Sequence, residues 1–182
     1  MTMYIKKAQS GRSMIEMLGV LAIVGILSAG GIAGYSMAMQ SYKTSALTEK
    51  VNLIAQQARV LYNGIYTGIE PAKLISAGMI TDNNNPFGGT LAIAANGADE
   101  FKVTTDDNVP AEACIKLLRT DWGTTGVFTS VSATASAGEK VFYSAPAGAV
   151  GETPAQDASP ASAANAITAC AGGNAIITWT FK

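Results

Sequence analysis

The first part of the chain is marked by a long run of uncharged positions. From Met17 to Tyr42 no residue carries a charge, and most positions are apolar. A membrane-spanning helix needs about 20 mostly apolar residues, and this run exceeds that length. Lys6 and Lys7 precede the run, which places the N-terminus in the cytoplasm by the positive-inside tendency. The pattern therefore predicts a transmembrane half-helix over residues 12–42, with the rest of the chain exported.

A cleaved secretory signal peptide shows the same order of basic and then apolar residues. Such a signal ends at a cleavage site followed by an unrelated mature sequence. Here the apolar run continues into an amphipathic segment without an intervening turn signal. The pattern favours an anchor that is retained, and cleavage after the apolar run is the alternative.

Beyond the apolar run, a single apolar stripe follows a helical period. Its members are three and four residues apart, with polar residues between them. No proline interrupts residues 12–70, so the run and the stripe are predicted to form one helix over residues 12–65. This helix is apolar on all sides in its first half and on one side in its second. The stripe consists of Leu47, Val51, Ile54, Ala58, Leu61 and Ile65.

Short helices and short strands are predicted after residue 70. Pro71 opens a helix that ends near Gly78, residues 83–89 form a turn, and Asn96-Gly97 joins two strands in a hairpin. The strands are expected at residues 90–94, 100–105, 127–131, 140–144 and 175–182, and two further helices at residues 110–119 and 160–171. The fold class is therefore α+β, with the long N-terminal helix packed on an antiparallel β-sheet.

Two segments of the chain allow more than one structural interpretation. Residues 132–166 consist mostly of Ala, Ser, Gly, Thr and Pro, which bury little apolar area, so much of this segment is expected to be exposed loop. Asp82 is followed by three asparagines, which suggests a calcium loop. Only one carboxylate is present and no bidentate Glu follows at loop spacing, so an ordinary turn is favoured.

Composition and charge narrow the classes of function. Hydrophobic residues make up 48% of the chain and charged residues 14%, against roughly 25% charged in an average soluble protein. The net charge is −1, without the basic face that a nucleic-acid-binding protein needs. Histidine is absent from the sequence, and no nucleophile–base pair or metal cluster stands out. We therefore expect a protein that is not an enzyme, with no metal, no cofactor and no nucleic-acid partner.

Cys114 and Cys170 are the two cysteines of the chain. In an exported domain, two cysteines are most simply interpreted as one disulfide. The bond would close a long loop around the low-complexity segment and stabilise the fold by up to about 4 kcal/mol. The alternative is two separate buried thiols.

Glu16 is a carboxylate at the edge of an otherwise apolar span. An acidic residue within a membrane span is usually paired with a positively charged group. If a peptidase cuts after Gly11, the new α-amino group of Arg12 lies one helical turn before Glu16. Glu16 and Arg12 are therefore predicted to form an ion pair, within one chain or between neighbouring chains.

The N-terminal pattern resembles the class III signal of type IV prepilins. Gly11 matches the cleavage position, Glu16 the fifth mature position, and MLGVLAIVGIL the apolar helix behind it. The family usually has an apolar first mature residue, often N-methylated, whereas this chain has Arg12. The C-terminal patterns NPFGG at 85–89, AEAC at 111–114 and ACxxxNxIxxxxFK at 169–182 are similar to those of type IVb pilins.

The resemblance implies the type IV pilin fold and three regions. These are a leader peptide (1–11), a transmembrane and filament-core half-helix (12–42) and a globular domain (43–182) that contains the disulfide-bounded region 114–170. It also implies cleavage by a prepilin peptidase and assembly by an ATPase, a platform and a secretin. The prepilin would lie in the inner membrane and the mature subunit in an extracellular helical filament.

A major pilin, serving adhesion, aggregation or motility, is the favoured function. Within the family, a minor pilin or a pseudopilin of type II secretion remains an alternative. Outside the family, the alternative is a membrane-anchored periplasmic binding module that does not polymerise.

Overall fold

The computed structural model of the chain describes residues 14–123, 127–136, 138–144 and 157–182. Two compact units are present, one that ends at Gln40 and a second that comprises Ser41–Lys182. The predicted leader, residues 1–11, lies outside the described residues. The boundaries predicted for the leader and the half-helix concern processing and lipid insertion, so they stay predictions.

The long N-terminal helix is confirmed as α1, Met14–Tyr62, 49 residues. It ends earlier than the predicted residue 65, because Asn63 adopts a left-handed conformation with φ of 47°. The Asn63 amide still donates to the Arg59 carbonyl at 2.9 Å, and Gly64 follows with φ of 87°. A left-handed residue followed by glycine is a common helix terminus.

Most of the predicted apolar stripe forms the buried face of α1 in the second unit. Leu47, Val51, Ile54 and Ala58 are fully buried. The assignment of Leu61 and Ile65 to this stripe was wrong, since their side chains are 38% and 68% exposed. Ile65 lies beyond the end of the helix at Tyr62, and the chain returns to the core at Tyr66, whose ring centre lies 4.6 Å from that of Phe101.

Three shorter helices were predicted and are present, each a little shorter than expected. They are α2 (Pro71–Ser76), α3 (Ala111–Leu118) and α4 (Ala163–Ala169). The α4 helix begins after Ser162, whose hydroxyl accepts a hydrogen bond from the Asn165 amide at 3.3 Å. Serine is a favoured residue at this capping position.

Within the described residues, six strands form one sheet in the order β1-β2-β6-β3-β4-β5. Their bounds are β1 Ala92–Ala95, β2 Phe101–Thr104, β3 Phe128–Ala135, β4 Gly138–Ser144, β5 Asp157–Ser159 and β6 Ile176–Phe181. The β1–β2 hairpin predicted at Asn96-Gly97 is confirmed, and the last strand, β6, lies between β2 and β3. Only β5 departs from the antiparallel arrangement, because it pairs parallel to β4.

The low-complexity segment contains more structure than its composition predicts. The β3 strand extends to Ala135, and β5 was not predicted at all. Ser132 is 6% exposed and Ala133 is fully buried. These residues belong to the sheet because β3 is an inner strand, paired with β4 on one side and with β6 on the other.

The core lies between the inner face of the sheet and helices α1 and α3. The β6 strand contributes Ile177, Trp179 and Phe181, which alternate with outward positions and are all buried. The Phe101 and Phe181 rings stack with centroids 5.5 Å apart. Aromatic contacts of this kind stabilise a core by more than the area they bury. They also fix the register of the last strand against its neighbours.

Candidate functional site

The first unit presents apolar side chains on all sides of α1. The following residues are each at least 48% exposed: Met14, Ile15, Met17, Leu18, Val20, Leu21, Ile23, Val24, Ile26, Leu27, Ile32, Tyr35 and Met37. By length and composition this helix is able to cross a membrane. An apolar surface of this extent is buried by lipid or by other helices in the functional state of a protein.

Glu16 is the one charged residue among the described positions of α1 before Lys43. It lies in the first turn of the helix, and its side chain is exposed. The positive end of the helix dipole favours a carboxylate at this position. Gly11 and Arg12 lie outside the described residues, so the cleavage site and the ion pair between Glu16 and Arg12 stay predictions.

The disulfide between Cys114 and Cys170 is confirmed. It joins the middle of α3 to the residue that caps the C-terminus of α4, with a Cα–Cα distance of 5.9 Å. Cys114 is fully buried and Cys170 is 1% exposed. The bond therefore holds α4 against α3 from inside the core and closes the region that contains β3, β4 and β5.

Lys50 and Asp82 form an ion pair between α1 and the asparagine-rich turn. The hydrogen bond from the Lys50 ammonium, with help from the backbone amide of Asn84, holds the pKa of the Asp82 carboxyl below its usual value. The Asp82 oxygen also accepts from the Asn84 amide at 2.8 Å, which closes an Asx turn. The ordinary turn that the sequence favoured over a calcium loop is present.

Arg59 connects the end of α1 to the residue before β3 and to the residue after β6. Its Nε donates to the main-chain carbonyl of Lys182 at 2.8 Å, and its Nη2 donates to the carbonyl of Val127. The guanidinium carbon lies 5.9 Å from the centre of the Phe181 ring. In the sequence, Arg59 is one of the polar residues between the members of the apolar stripe. Its role was not foreseen, since its partners are 68 and 123 positions away in the chain.

The Arg59→Ala variant is expected to lose about 2 kcal/mol of unfolding free energy, because charge-assisted hydrogen bonds and a cation–π contact are removed together. Arg59→Lys is expected to recover only part of this loss, since an ammonium lacks the forked geometry of the guanidinium. Urea unfolding of the detergent-solubilised protein measures both values. Gln56→Ala, one turn earlier and exposed, is the control. An unchanged midpoint for Arg59→Ala would contradict the assigned role.

Comparisons with known proteins agree on one class. The model of the family described as PilS N terminal matches residues 41–182. The major structural subunit of bundle-forming pilus from Escherichia coli O127:H6 (strain E2348/69 / EPEC) is 30% identical over 132 residues, 65% of this chain and 68% of that protein. The corresponding subunit from Escherichia coli O111:H- gives the same values.

A solved structure with a similar fold is that of TcpA, a type IV pilin from Vibrio cholerae El Tor biotype. It matches with a TM-score of 0.55 and 16% sequence identity, over 76% of this chain and 98% of TcpA. A long N-terminal helix, apolar throughout its first half and packed on a disulfide-closed α+β domain in its second, is thus the fold of a type IV pilin. The chain belongs to the PilS family and is a type IVb pilin, as the resemblance of its sequence motifs predicted.

Proposed function

We propose that this chain is the major structural subunit of a type IVb pilus, a helical homo-oligomer on the bacterial surface. The observation that carries the proposal is the apolar half of α1, whose large side chains are exposed on all sides in the single chain. The family relationship supports it, because the two curated relatives are major subunits of the bundle-forming pilus. A structural subunit of this kind needs no catalytic group of its own.

Assembly exchanges one apolar environment for another. As a prepilin, the subunit keeps the apolar half of α1 in the inner membrane, where lipid covers these side chains. On polymerisation this half-helix enters the core of the filament, and contacts with neighbouring helices replace the lipid. The hydrophobic surface is covered both in the membrane and in the filament. The free-energy difference between these two states therefore depends on helix packing and on the few polar groups in the helix.

Glu16 is the polar group that selects the arrangement of subunits. A carboxylate left unpaired in an apolar core is strongly unfavourable, whereas one paired with an amine is tolerated. In the proposed filament the Glu16 carboxylate meets the α-amino group that cleavage creates at Arg12. Axial positions that separate the two groups are disfavoured, so the pair sets the register between neighbours.

The proposed function requires a processing enzyme and an export apparatus. Cleavage between Gly11 and Arg12 needs a prepilin peptidase, and extraction from the inner membrane needs an assembly ATPase acting through a platform. An outer-membrane secretin then conducts the fibre to the cell surface. Adhesion, aggregation or motility would follow from the exposed fibre.

Protein sheared from cells is expected to begin at Arg12. Intact mass and N-terminal sequencing of the sheared material measure this directly, and the same spectrum reports any methyl group on the Arg12 amine. A chain that begins at Met1, or at a position inside the apolar run, would contradict processing as a prepilin. Protein that remains with the cell envelope after shearing, with no fibres in the supernatant, would favour the membrane-anchored binding module.

The abundance of the chain in purified fibres separates the alternatives within the family. A major pilin makes up nearly all of the fibre, whereas a minor pilin is a small fraction of it. Deletion of this chain with retained fibres of another subunit would identify a minor pilin. A secretion defect without surface fibres would identify a pseudopilin.

A further inference from the structure

Two asparagines of the chain are followed directly by glycine, at Asn63-Gly64 and at Asn96-Gly97. Asparagine is a chemically labile residue. A following glycine increases this lability, because no Cβ hinders the next main-chain nitrogen from reaching the carbonyl carbon of the asparagine side chain. That nitrogen displaces ammonia, and the side chain loses its amide. The two dipeptides have the same chemistry in the sequence, and the structure distinguishes them.

Asn63 lies at the exposed end of α1. Asn63 and Gly64 are both exposed. Among the described residues, none exchanges a hydrogen bond with the Asn63 carboxamide, and none accepts from the Gly64 amide. Two bonds hold this turn, from the Asn63 amide to the Arg59 carbonyl at 2.9 Å and from the Ile65 amide to the Tyr62 carbonyl at 3.1 Å. The end of a helix opens more readily than a paired core, so the carboxamide and the Gly64 nitrogen are able to meet.

Asn96 lies in the turn of the β1–β2 hairpin and is held by two hydrogen bonds to one residue. Its carboxamide nitrogen donates to the Glu100 carboxylate at 2.8 Å, and its main-chain amide donates to the Glu100 carbonyl at 2.8 Å. Asn96 is also half-buried, and the strand before it is paired from Ala92 to Ala95. The carboxamide must rotate away from Glu100 before Gly97 can attack it. A hydrogen bond to a charged group opposes this rotation.

We propose that Asn63 is a site of spontaneous deamidation and that Glu100 protects Asn96 from the same reaction. In the first step, the Gly64 main-chain nitrogen bonds to Cγ of Asn63, and its proton leaves with the side-chain amide as ammonia. The product is a five-membered cyclic imide. In the second step, water adds to one of the two imide carbonyls and breaks that C–N bond, which gives aspartate or isoaspartate at position 63. Water is the one co-reactant, so the reaction does not depend on the proposed assembly.

The reaction changes the charge at the end of α1 and, when isoaspartate forms, the length of the main chain. A carboxylate at position 63 lies at the negative end of the helix dipole, which disfavours it. It also lies one turn after Arg59, whose guanidinium donates to the carbonyls of Val127 and Lys182. The new carboxylate competes with these carbonyls for the guanidinium. The contact between α1 and the sheet is therefore expected to weaken as the protein ages.

Peptide mapping of the full-length protein, incubated in detergent micelles at mildly alkaline pH, tests the proposal. The peptide that contains Asn63 is expected to become heavier by one mass unit with time and to separate into aspartate and isoaspartate forms. Fragment ions locate the change within each peptide. Asn96 is expected to convert about tenfold more slowly, the factor that one hydrogen bond to a charged group supplies. An unchanged Asn63, or equal rates at the two positions, would overturn the proposal.

Variants of the hairpin test the protection of Asn96. Glu100→Ala releases the carboxamide, so conversion of Asn96 is expected to accelerate about tenfold. Asp99→Ala is the matched control, because it removes a carboxylate from the same turn that contacts Lys182 and not Asn96. Conversion of Asn96 at the wild-type rate in Glu100→Ala would overturn the role of Glu100. Equal acceleration in Asp99→Ala would do the same.

Variants at position 63 test the consequence for α1. Asn63→Gly accepts the left-handed conformation and has no amide to lose, so its peptide is expected to keep a constant mass. Asn63→Asp reproduces one product, and its midpoint of urea unfolding is expected to lie below that of Asn63→Gly. Equal midpoints would overturn the predicted weakening of α1.

Fibre formation by the same strains is scored separately by electron microscopy. Normal fibres in which Asn63 stays unchanged during incubation would overturn the modification site alone. Conversion of Asn63 in a protein that forms no fibres would support the site and contradict the role in the pilus.

Discussion

Cells that carry Glu16→Ala are expected to contain folded and processed subunit but few or no surface fibres. Glu16 lies in the first unit of the chain, whereas the buried core and the disulfide lie in the second. The second unit therefore folds without this carboxylate. Removal of a charge from an apolar span also makes membrane insertion slightly easier. Assembly of the fibre is the step that is impaired, because the Arg12 amine enters the filament core without its partner.

The expected size of the effect follows from the burial of the amine. Leaving one member of a buried ion pair unpaired typically costs about 3–5 kcal/mol, and every subunit of the fibre repeats the defect. Fibre yield after shearing measures the outcome, with subunit level and disulfide state in the membrane fraction as internal references. Wild-type fibre yield from Glu16→Ala cells would show that this carboxylate does not direct assembly.

Two further variants separate the ion pair from other effects of substitution. Glu49→Ala removes an exposed carboxylate from the same helix, and fibres are expected to form normally. Arg12→Met removes the guanidinium but retains the α-amino group that cleavage creates. If the α-amino group is the partner of Glu16, Arg12→Met cells form fibres. Loss of fibres with normal processing in that variant would assign the partner to the guanidinium instead.

The sequence predicted those parts of the fold in which burial or a turn produces a recognisable pattern of residues close together in the chain. The stripe of Leu47, Val51, Ile54 and Ala58 has a helical period because one side of α1 contacts the core. The Asn96-Gly97 dipeptide marks a turn by its own conformational preference, with φ of 90° at Gly97. These features depend on neighbours within a few positions of the chain.

The features that were missed depend on contacts between distant positions. Ser132 and Ala133 are small residues in a segment whose composition is typical of a loop, and only the neighbouring strands β4 and β6 make them part of a sheet. The polar side chains on the outer face of the sheet, such as Lys102, Ser130 and Thr180, come together only through the order of the strands β2, β6 and β3. The sequence contains these side chains but does not show that they meet, because strand order is not encoded in local periodicity.

Removal of the disulfide is expected to lower the free energy of unfolding by about 2–5 kcal/mol. Cys114 and Cys170 are 56 positions apart, and the cross-link restricts the unfolded chain over that length. In the folded protein it holds α4 beside α3 immediately before the chain enters β6, the strand between β2 and β3. Loss of the bond therefore weakens the position of a strand on which both halves of the sheet depend. Lower subunit abundance in cells is the expected consequence.

Single and double substitutions distinguish the cross-link from local packing. Cys114→Ser and Cys170→Ser each break the same bond, so the double variant is expected to lose little more stability than either single variant. Urea unfolding of the detergent-solubilised protein gives the three values, with Ile167→Ser, an exposed position on α4 that is 56% accessible, as the control. Additive losses would assign the effect to two independent buried side chains. Wild-type stability in the double variant would show that the packing of α3, α4 and β6 maintains the fold without the covalent bond.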